Sequence, residues 1–221
     1  MKVIVFGASG MVGQGVVREC LADASVTQVL SVVRAPTGRA DPKLRELVHR
    51  DFTNFSNVEA ELKGYDACFF CLGISSAGMK EADYRVITYD YALAAGKTLC
   101  RLNPNMAFIY VSGEGTDSTE KGSSMWGRVK GETENALLKL PFKAAYMFRP
   151  GLIKPGAGIV SKTKLYRTLY AVMTPLFPVV SALMPNMVTS TEEVGKAMLA
   201  VVKEGGPSRV LNTRAIRAAV R

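Results

Sequence analysis

Short apolar runs alternate with longer amphipathic stretches along most of the chain. The run Lys2-Val3-Ile4-Val5-Phe6 ends in glycine and predicts a buried strand. From Met11 to Ala22, Met11, Val12, Gly15, Val16 and Cys20 recur at the spacing of one helix face. Gln28-Val29-Leu30-Ser31-Val32-Val33 predicts a second strand, stopped by Arg34-Ala35-Pro36-Thr37-Gly38. Further strands are expected at Leu47-Val48-His49, 67–72, 106–111 and 143–148. Helices are expected over 80–101, 123–139 and 191–204, the last with Thr189-Ser190-Thr191-Glu192-Glu193 as a capped start.

Apolar strands that alternate with amphipathic helices predict a parallel sheet covered on both faces, a doubly wound α/β Rossmann fold. Ligands in such folds sit at the carboxyl ends of the strands, near the point where strand order reverses. The 221 residues fit one domain, 1–221, with a substrate-side segment at about 152–191. A hydrophobic fraction of 48% with 21% charge excludes a disordered chain.

The net charge is +9, from 28 basic and 19 acidic residues. The basic residues are scattered, with modest concentrations at 34–50, 162–167 and 209–221. There is no arginine-rich helix, zinc-finger spacing or aromatic RNA-binding motif, which argues against nucleic acid as a partner. A solvated basic surface around an anionic cofactor site accounts for the charge. Cys68 and Cys71 form a C-x-x-C within the fourth expected strand. Positions three apart on a strand point to opposite faces, so the two thiols are assigned to core packing and no metal site is expected. No basic region with a following apolar signal stretch stands near Met1, and the expected setting is reducing and cytoplasmic.

Gly7-x-x-Gly10-x-x-Gly13 follows a strand and opens a helix, the context a dinucleotide-binding turn requires. Gly7 allows the tight turn, Gly10 the approach of a pyrophosphate, and Gly13 the packing of helix on strand. Ser9, Met11 and Val12 complete the turn, and the helix N-terminus offers N–H groups to the phosphates. NAD-specific sites place an acid after the second strand to hold the ribose 2′-hydroxyl. This chain has Arg34, with Arg39 nearby, and therefore NADP(H) is the expected cofactor, with NAD(H) as the alternative. Asp51-Phe52 follows the third strand; Asp51 either accepts from the adenine amino group or serves as a helix N-terminal residue.

The turn, Asp51-Phe52, Cys71-Leu72-Gly73, Val111-Ser112, the helix bearing Lys130 and Arg149-Pro150-Gly151 occur in one order. Together they resemble an atypical short-chain dehydrogenase/reductase, in the group of small NAD(P)H-binding proteins of the Tat-interactive and NAD-dependent epimerase/dehydratase-like kind. The resemblance implies that Gly73 runs beside the adenosine or pyrophosphate and that Ser112 is the catalytic serine or threonine. It implies that Lys130 holds the nicotinamide ribose and that Pro150 and Gly151 flank the nicotinamide amide. The family signature Tyr-x-x-x-Lys reads Trp126-Gly127-Arg128-Val129-Lys130 here. Indole has no accessible ionised form, so Trp126 cannot exchange the proton that a phenol would. It is left to shape the pocket or stack on a ring.

The only histidine, His49, lies at the end of the third strand on the adenine side, where a structural role is expected. Tyr84, Tyr89 and Tyr91 border the site from the next helix and are expected to pack, one of them being an alternative source of a phenol. Residues 168–191 read as helices over the substrate side, interrupted by Pro175, Pro178 and Pro185. Basic Lys162, Lys164 and Arg167 before them leave docking of a membrane surface or protein through 162–187 as an alternative use. The expected function is an NADP(H)-dependent oxidoreductase or epimerase-like enzyme acting on a small carbonyl compound. The alternative is a sensor or regulatory protein that keeps the nucleotide site without turnover.

Overall fold

The structure, a computed structural model, describes residues 1–159 and 186–220. The segment expected to cover the substrate side lies largely outside the described residues, as does most of the docking segment 162–187.

Strand β1 (Lys2–Phe6) leads into helix α1 (Met11–Ala22), then β2 (Gln28–Val33) and β3 (Leu44–Val48). A 3-10 helix at Ser56–Leu62 precedes β4 (Ala67–Phe70). Helix α2 (Glu81–Arg85) runs through a π turn, Val86–Asp90, into α3 (Tyr91–Leu102). Then come β5 (Ala107–Val111), α4 (Met125–Leu138), β6 (Ala144–Arg149) and β7 (Leu152–Lys154). The last described elements are β8 (Val188–Ser190), α5 (Thr191–Glu204), β9 (Val210–Asn212) and α6 (Thr213–Ala218). Seven parallel strands form one sheet in the order β3-β2-β1-β4-β5-β6-β9, and β7 and β8 form a small parallel pair beside it. The chain winds outward from β1 to β3, returns, and winds the other way from β4. The reversal therefore falls between β1 and β4.

Alternation along the strands divides the core in two. Val3 and Val5 face a cluster with Val16, Val17 and Cys20 of α1 and Val194, Met198 and Val201 of α5. Ile4 and Phe6 face the opposite cluster with Phe52, Phe55, Leu62, Leu99 and Leu137. Cys68 is buried in the second cluster and Cys71 packs against the first, on the other side of the sheet. Burial raises the Cys71 thiol to about 12, so neither of these packing thiols is an ionised nucleophile.

Two expectations shift. The third strand begins at Leu44, and His49 lies just past its end, donating its backbone N–H to Val33 O at 2.8 Å. As the sheet's edge, β3 carries Arg45 and Glu46 between its apolar residues, which blurs the apolar run. The three-residue strands β7, β8 and β9 went unexpected, being too short to show a period. The cap of α5 is as read. Ser190 Oγ accepts from Glu193 N at 3.0 Å and Glu193 returns the bond to Ser190 N at 2.9 Å.

Helices α1 and α5 meet at backbone distance. A Cβ on Gly15 would stand 2.5 Å from Thr191 Cβ, and one on Gly195 would stand 3.2 Å from Val16 Cα. Helix propensity alone would favour Gly15→Ala by up to about 1 kcal/mol. Overpacking reverses the sign, and Gly15→Ala is expected to lower stability by about 1–3 kcal/mol in urea denaturation. A stabilised variant would show that the two helices have room to separate.

Candidate nucleotide and carbonyl site

The carboxyl ends of the parallel strands bring most of the sequence-marked residues to one edge of the sheet. Gly7 follows β1, Arg34 follows β2, and Asp51 lies three residues past β3. Gly73 lies past β4, Ser112 follows β5, and Pro150 follows β6. Each strand is in parallel register with its neighbour, so these positions form a row.

The three turn glycines have different physical reasons. Gly7 has φ +75°, and its Cβ would stand 2.6 Å from the Cys71 carbonyl carbon. Both facts exclude a side chain there. A Cβ on Gly13 would lie 2.1 Å from Gly7 O, so α1 starts in contact with the turn that precedes it. Gly10 differs. Its backbone is extended (φ −79°, ψ 166°), and a Cβ would meet only Gly7 O, at 3.3 Å. That contact is tighter than ordinary packing but much milder than those at Gly7 and Gly13. Gly10 N–H is bonded to Gly7 O at 2.9 Å, and Gln14 N makes the first full helical bond, back to Gly10 O at 2.9 Å. The first-turn amides of Met11, Val12 and Gly13 lie before that bond, and no side chain caps them. Ser9 contributes its carbonyl to Gln14 Nε2 at 3.2 Å.

Toward β2 and β3, Arg34 and Arg39 are exposed. Asp51 is exposed and closes a local turn, accepting from Thr53 N at 2.9 Å and from the Thr53 hydroxyl at 2.5 Å. Those bonds hold its carboxyl below the usual range. Phe52 was expected at the cofactor. Its side chain is 2% exposed, between Phe6, Phe55, His49 and Tyr91, and only its backbone is left for a ligand. His49 is buried as a structural residue, its Nε2 directed at the carbonyls of Asp51 and Asn54. Tyr84 is buried, Tyr89 lies under the Arg85 guanidinium at 4.0 Å, and Tyr91 packs on Phe52. Gly73 is exposed, and a Cβ there would touch nothing within 4 Å.

Ser112 is the centre of the other half. It is 7% exposed and anchored on three sides. Its N–H donates to Phe148 O at 2.9 Å, its carbonyl accepts from Lys130 Nζ, and its hydroxyl lies 2.5 Å from Glu134 Oε1. A serine hydroxyl has one proton. Here the Glu134 carboxylate takes it, with Phe148 O at 3.1 Å as the alternative acceptor. The hydroxyl that the resemblance makes catalytic is thus engaged within the protein.

Glu134 is 1% exposed and was not singled out from the sequence. Arg149 neutralises it through Nε, at 3.0 and 3.1 Å from the two carboxylate oxygens, and through a second guanidinium nitrogen that also meets Ser118 Oγ. The available signal was the Lys130-x-x-x-Glu134 spacing, which puts both residues on one face of α4. Burial lowers the Lys130 ammonium to about 8, against a smaller opposing pull from Glu134.

The loop after β5 is pressed onto α4 through two further glycines. A Cβ on Gly127 would stand 2.8 Å from Gly115 O, and one on Gly131 only 1.7 Å from Asp117 O. Trp126 lies across the same loop, its ring 3.0 Å from where a Gly115 Cβ would be. Pro150 and Gly151 are committed to the protein. Pro150 O accepts from Glu114 N at 2.9 Å, and Gly151 N donates to Thr213 Oγ1 at 2.8 Å. The Gly151 N–H is thus engaged within the protein.

The sequence profile of the NAD(P)H-binding family matches residues 7–133, more than half of the chain. The chain belongs to the NAD(P)H-binding family. Among relatives of this NAD(P)H-binding protein, HTATIP2 of Rattus norvegicus is 25% identical over 202 residues, covering 85% of this chain and 81% of that protein. The mitochondrial protein fmp52 of Emericella nidulans is 27% identical over 159 residues, covering 69% of this chain and 66% of that one. The fold matches the Bordetella bronchiseptica enzyme WbmF in complex with NAD+, with TM-score 0.69 and 17% identity, over 99% of this chain and 76% of that one. It also matches Gre2 of Candida albicans in complex with NADPH, with TM-score 0.72 and 15% identity, over 96% and 78%.

Removing Arg149 isolates a buried carboxylate. Arg149→Met is expected to cost about 3–5 kcal/mol in denaturant unfolding. The double variant Arg149→Met/Glu134→Leu should recover much of that loss, because the stranded charge is gone. Additive losses in the double variant would refute the pairing.

Proposed function

We propose that this NAD(P)H-binding protein is an NADP(H)-dependent oxidoreductase acting on a small carbonyl compound. The observation that carries the reading is the contrast among the turn glycines. Gly7 and Gly13 are held to glycine by several backbone atoms at 2.1–2.9 Å, whereas a Cβ on Gly10 would meet a single atom among the described residues, Gly7 O at 3.3 Å. A diphosphate approaching the backbone at Gly10 and the first-turn amides accounts for that glycine. These residues fit a dinucleotide, which would supply a hydride when bound.

In this reading the protein's own groups divide the work. The turn holds the diphosphate. Arg34 pairs with the 2′-phosphate at the end of β2, where a carboxylate would repel it. Asp51 and the Phe52 backbone border the adenine, and Gly73 leaves room for the adenosine to pass. Lys130, held at the end of β5 by the Ser112 carbonyl, reaches the nicotinamide ribose. Ser112 acts as a positioning residue, fixed by Glu134, and Pro150 and Gly151 form the wall beyond it. Trp126 limits the pocket.

A second reading, a nucleotide sensor without turnover, is favoured by Trp126. Its ring packs on the loop at Gly115 where the family carries a phenol. Steady-state oxidation of NADPH against a panel of aldehydes and ketones separates the two readings.

Gly10→Val is expected to fold with some loss of stability, because its Cβ would stand 3.3 Å from Gly7 O and valine is a poor N-cap residue. It is expected to lose nucleotide binding in calorimetry, since its methyl groups would occupy the diphosphate path. Wild-type affinity for NADPH in that variant would refute the site. Arg34→Ala is expected to weaken NADPH about tenfold or more, one charge-assisted contact, while NADH changes far less. Equal losses for both nucleotides would show that Arg34 does not read the 2′-phosphate.

A further inference from the structure

The site has a lysine where it needs an acid. Lys130 Nζ carries three N–H donors, and the Ser112 carbonyl takes one. Lys130 has no salt bridge among the described residues, because Glu134, the carboxylate one turn along α4, is bound by Arg149 and by the Ser112 hydroxyl. Among the described residues, two N–H groups are left without a partner at the carboxyl end of β5, beside the position where Trp126 replaces the family's phenol.

We propose that Lys130 is the proton donor of this site, giving an ammonium proton to the carbonyl oxygen of the substrate. The inference rests on the nucleotide reading above. As a carbonyl is reduced, a hydride passes from the bound NAD(P)H to the carbonyl carbon. One Nζ–H bond of Lys130 breaks, its proton joins the carbonyl oxygen, and the electron pair stays on Nζ. The nucleotide is oxidised and the carbonyl reduced to an alcohol. The ring gains a positive charge as the lysine loses one, so the pocket holds one positive charge before and after. Burial lowers the Lys130 ammonium to about 8, near the range in which an acid both holds and releases its proton at neutral pH.

Among the described residues, the surrounding groups leave this titration to the lysine. Glu134 and Arg149 neutralise each other. From β5, Tyr110 is pushed above its ordinary value by burial, with Tyr84 of α2 close by. From the loop after β5, Asp117 is held down to about 2 by the hydroxyl of Thr119 and by backbone N–H groups, and Glu114 faces Arg149. On the side of α4 toward α2, charges pair as Arg85 with Glu132 and Arg128 with Glu81.

The charge exchange gives a test that needs no substrate. A cationic nicotinamide ring beside Lys130 should drive off its proton, and a reduced ring should not. Calorimetric titration of the full chain with NADP+ and with NADPH, each in two buffers of different ionisation enthalpy, counts the protons released. Subtracting the NADPH value removes proton changes at the phosphates, which both nucleotides share. At pH 8 the expected difference is a release approaching about half a proton, the fraction of Lys130 still charged there. Lys130→Arg, whose guanidinium does not titrate in this range, and Lys130→Met should both abolish it. Equal proton counts for the two nucleotides in the wild type, or a difference that survives both variants, would overturn the proposal. If the variants do not fold, the wild-type profile decides. A difference that rises and falls around pH 8 supports Lys130, and a flat one between about pH 6.5 and 9.5 overturns it. Failure of the wild type to bind either nucleotide is a separate result, and it overturns the cofactor reading itself.

Discussion

Glu134 is a carboxylate with almost no access to water, and the active half of the fold is arranged around keeping it neutralised. An unpaired charge in that position would cost several kcal/mol, enough to consume much of a domain's stability. Arg149 meets it from β6 and Ser112 from β5, while Glu134 itself belongs to α4. One side chain therefore ties two strand ends and a helix into a fixed triangle. Lys130, one turn back on α4, is placed by the same triangle, because the carbonyl it binds is that of Ser112. The rigidity has a chemical consequence. Ser112 spends its proton on the framework, and the group left able to exchange one is the lysine.

Glycines divide the same edge into what the protein needs for itself and what it leaves open. At Gly7, Gly13, Gly127 and Gly131 a Cβ would run into backbone atoms of the protein. These four bring the turn onto β4, α1 onto the turn, and the loop after β5 onto α4. Among the described residues, a Cβ at Gly73 would touch nothing, and one at Gly10 would press on a single carbonyl oxygen at 3.3 Å. The difference is visible only with coordinates, since all six are the same letter in the sequence.

Much of the fold was legible because its strands are buried on both faces and read as unbroken apolar runs. Strand β1, helix α1 and strand β2 fall where the pattern puts them. The edge strand β3 was blurred by Arg45 and Glu46, and the three-residue strands had no period to read. At the site, the turn and the order of the strand-end residues were legible from spacing. At Phe52 the sequence position alone did not say that the ring points into the core, leaving its backbone at the site. Glu134 was missed because a glutamate on a helix is normally a solvated residue. Only the convergence of Ser112 and Arg149 shows that this one is enclosed.

The stretch that identifies the family ends at residue 133, inside α4, and the crossing of α1 with α5 shows that this stretch is not a self-sufficient piece of protein. A chain shortened to it would lack β6 and β9, leaving β5 with an unpaired edge beside Lys130. It would also uncover the face of α1 on which Gly15 and Val16 receive α5, baring apolar surface directly behind the phosphate turn. Recognition of the family and independent folding thus have different boundaries here. The helix that carries the nucleotide turn is packed by α5, which begins some sixty positions beyond the last residue that marks the family, so a change in α5 reaches the back of that turn without touching the signature.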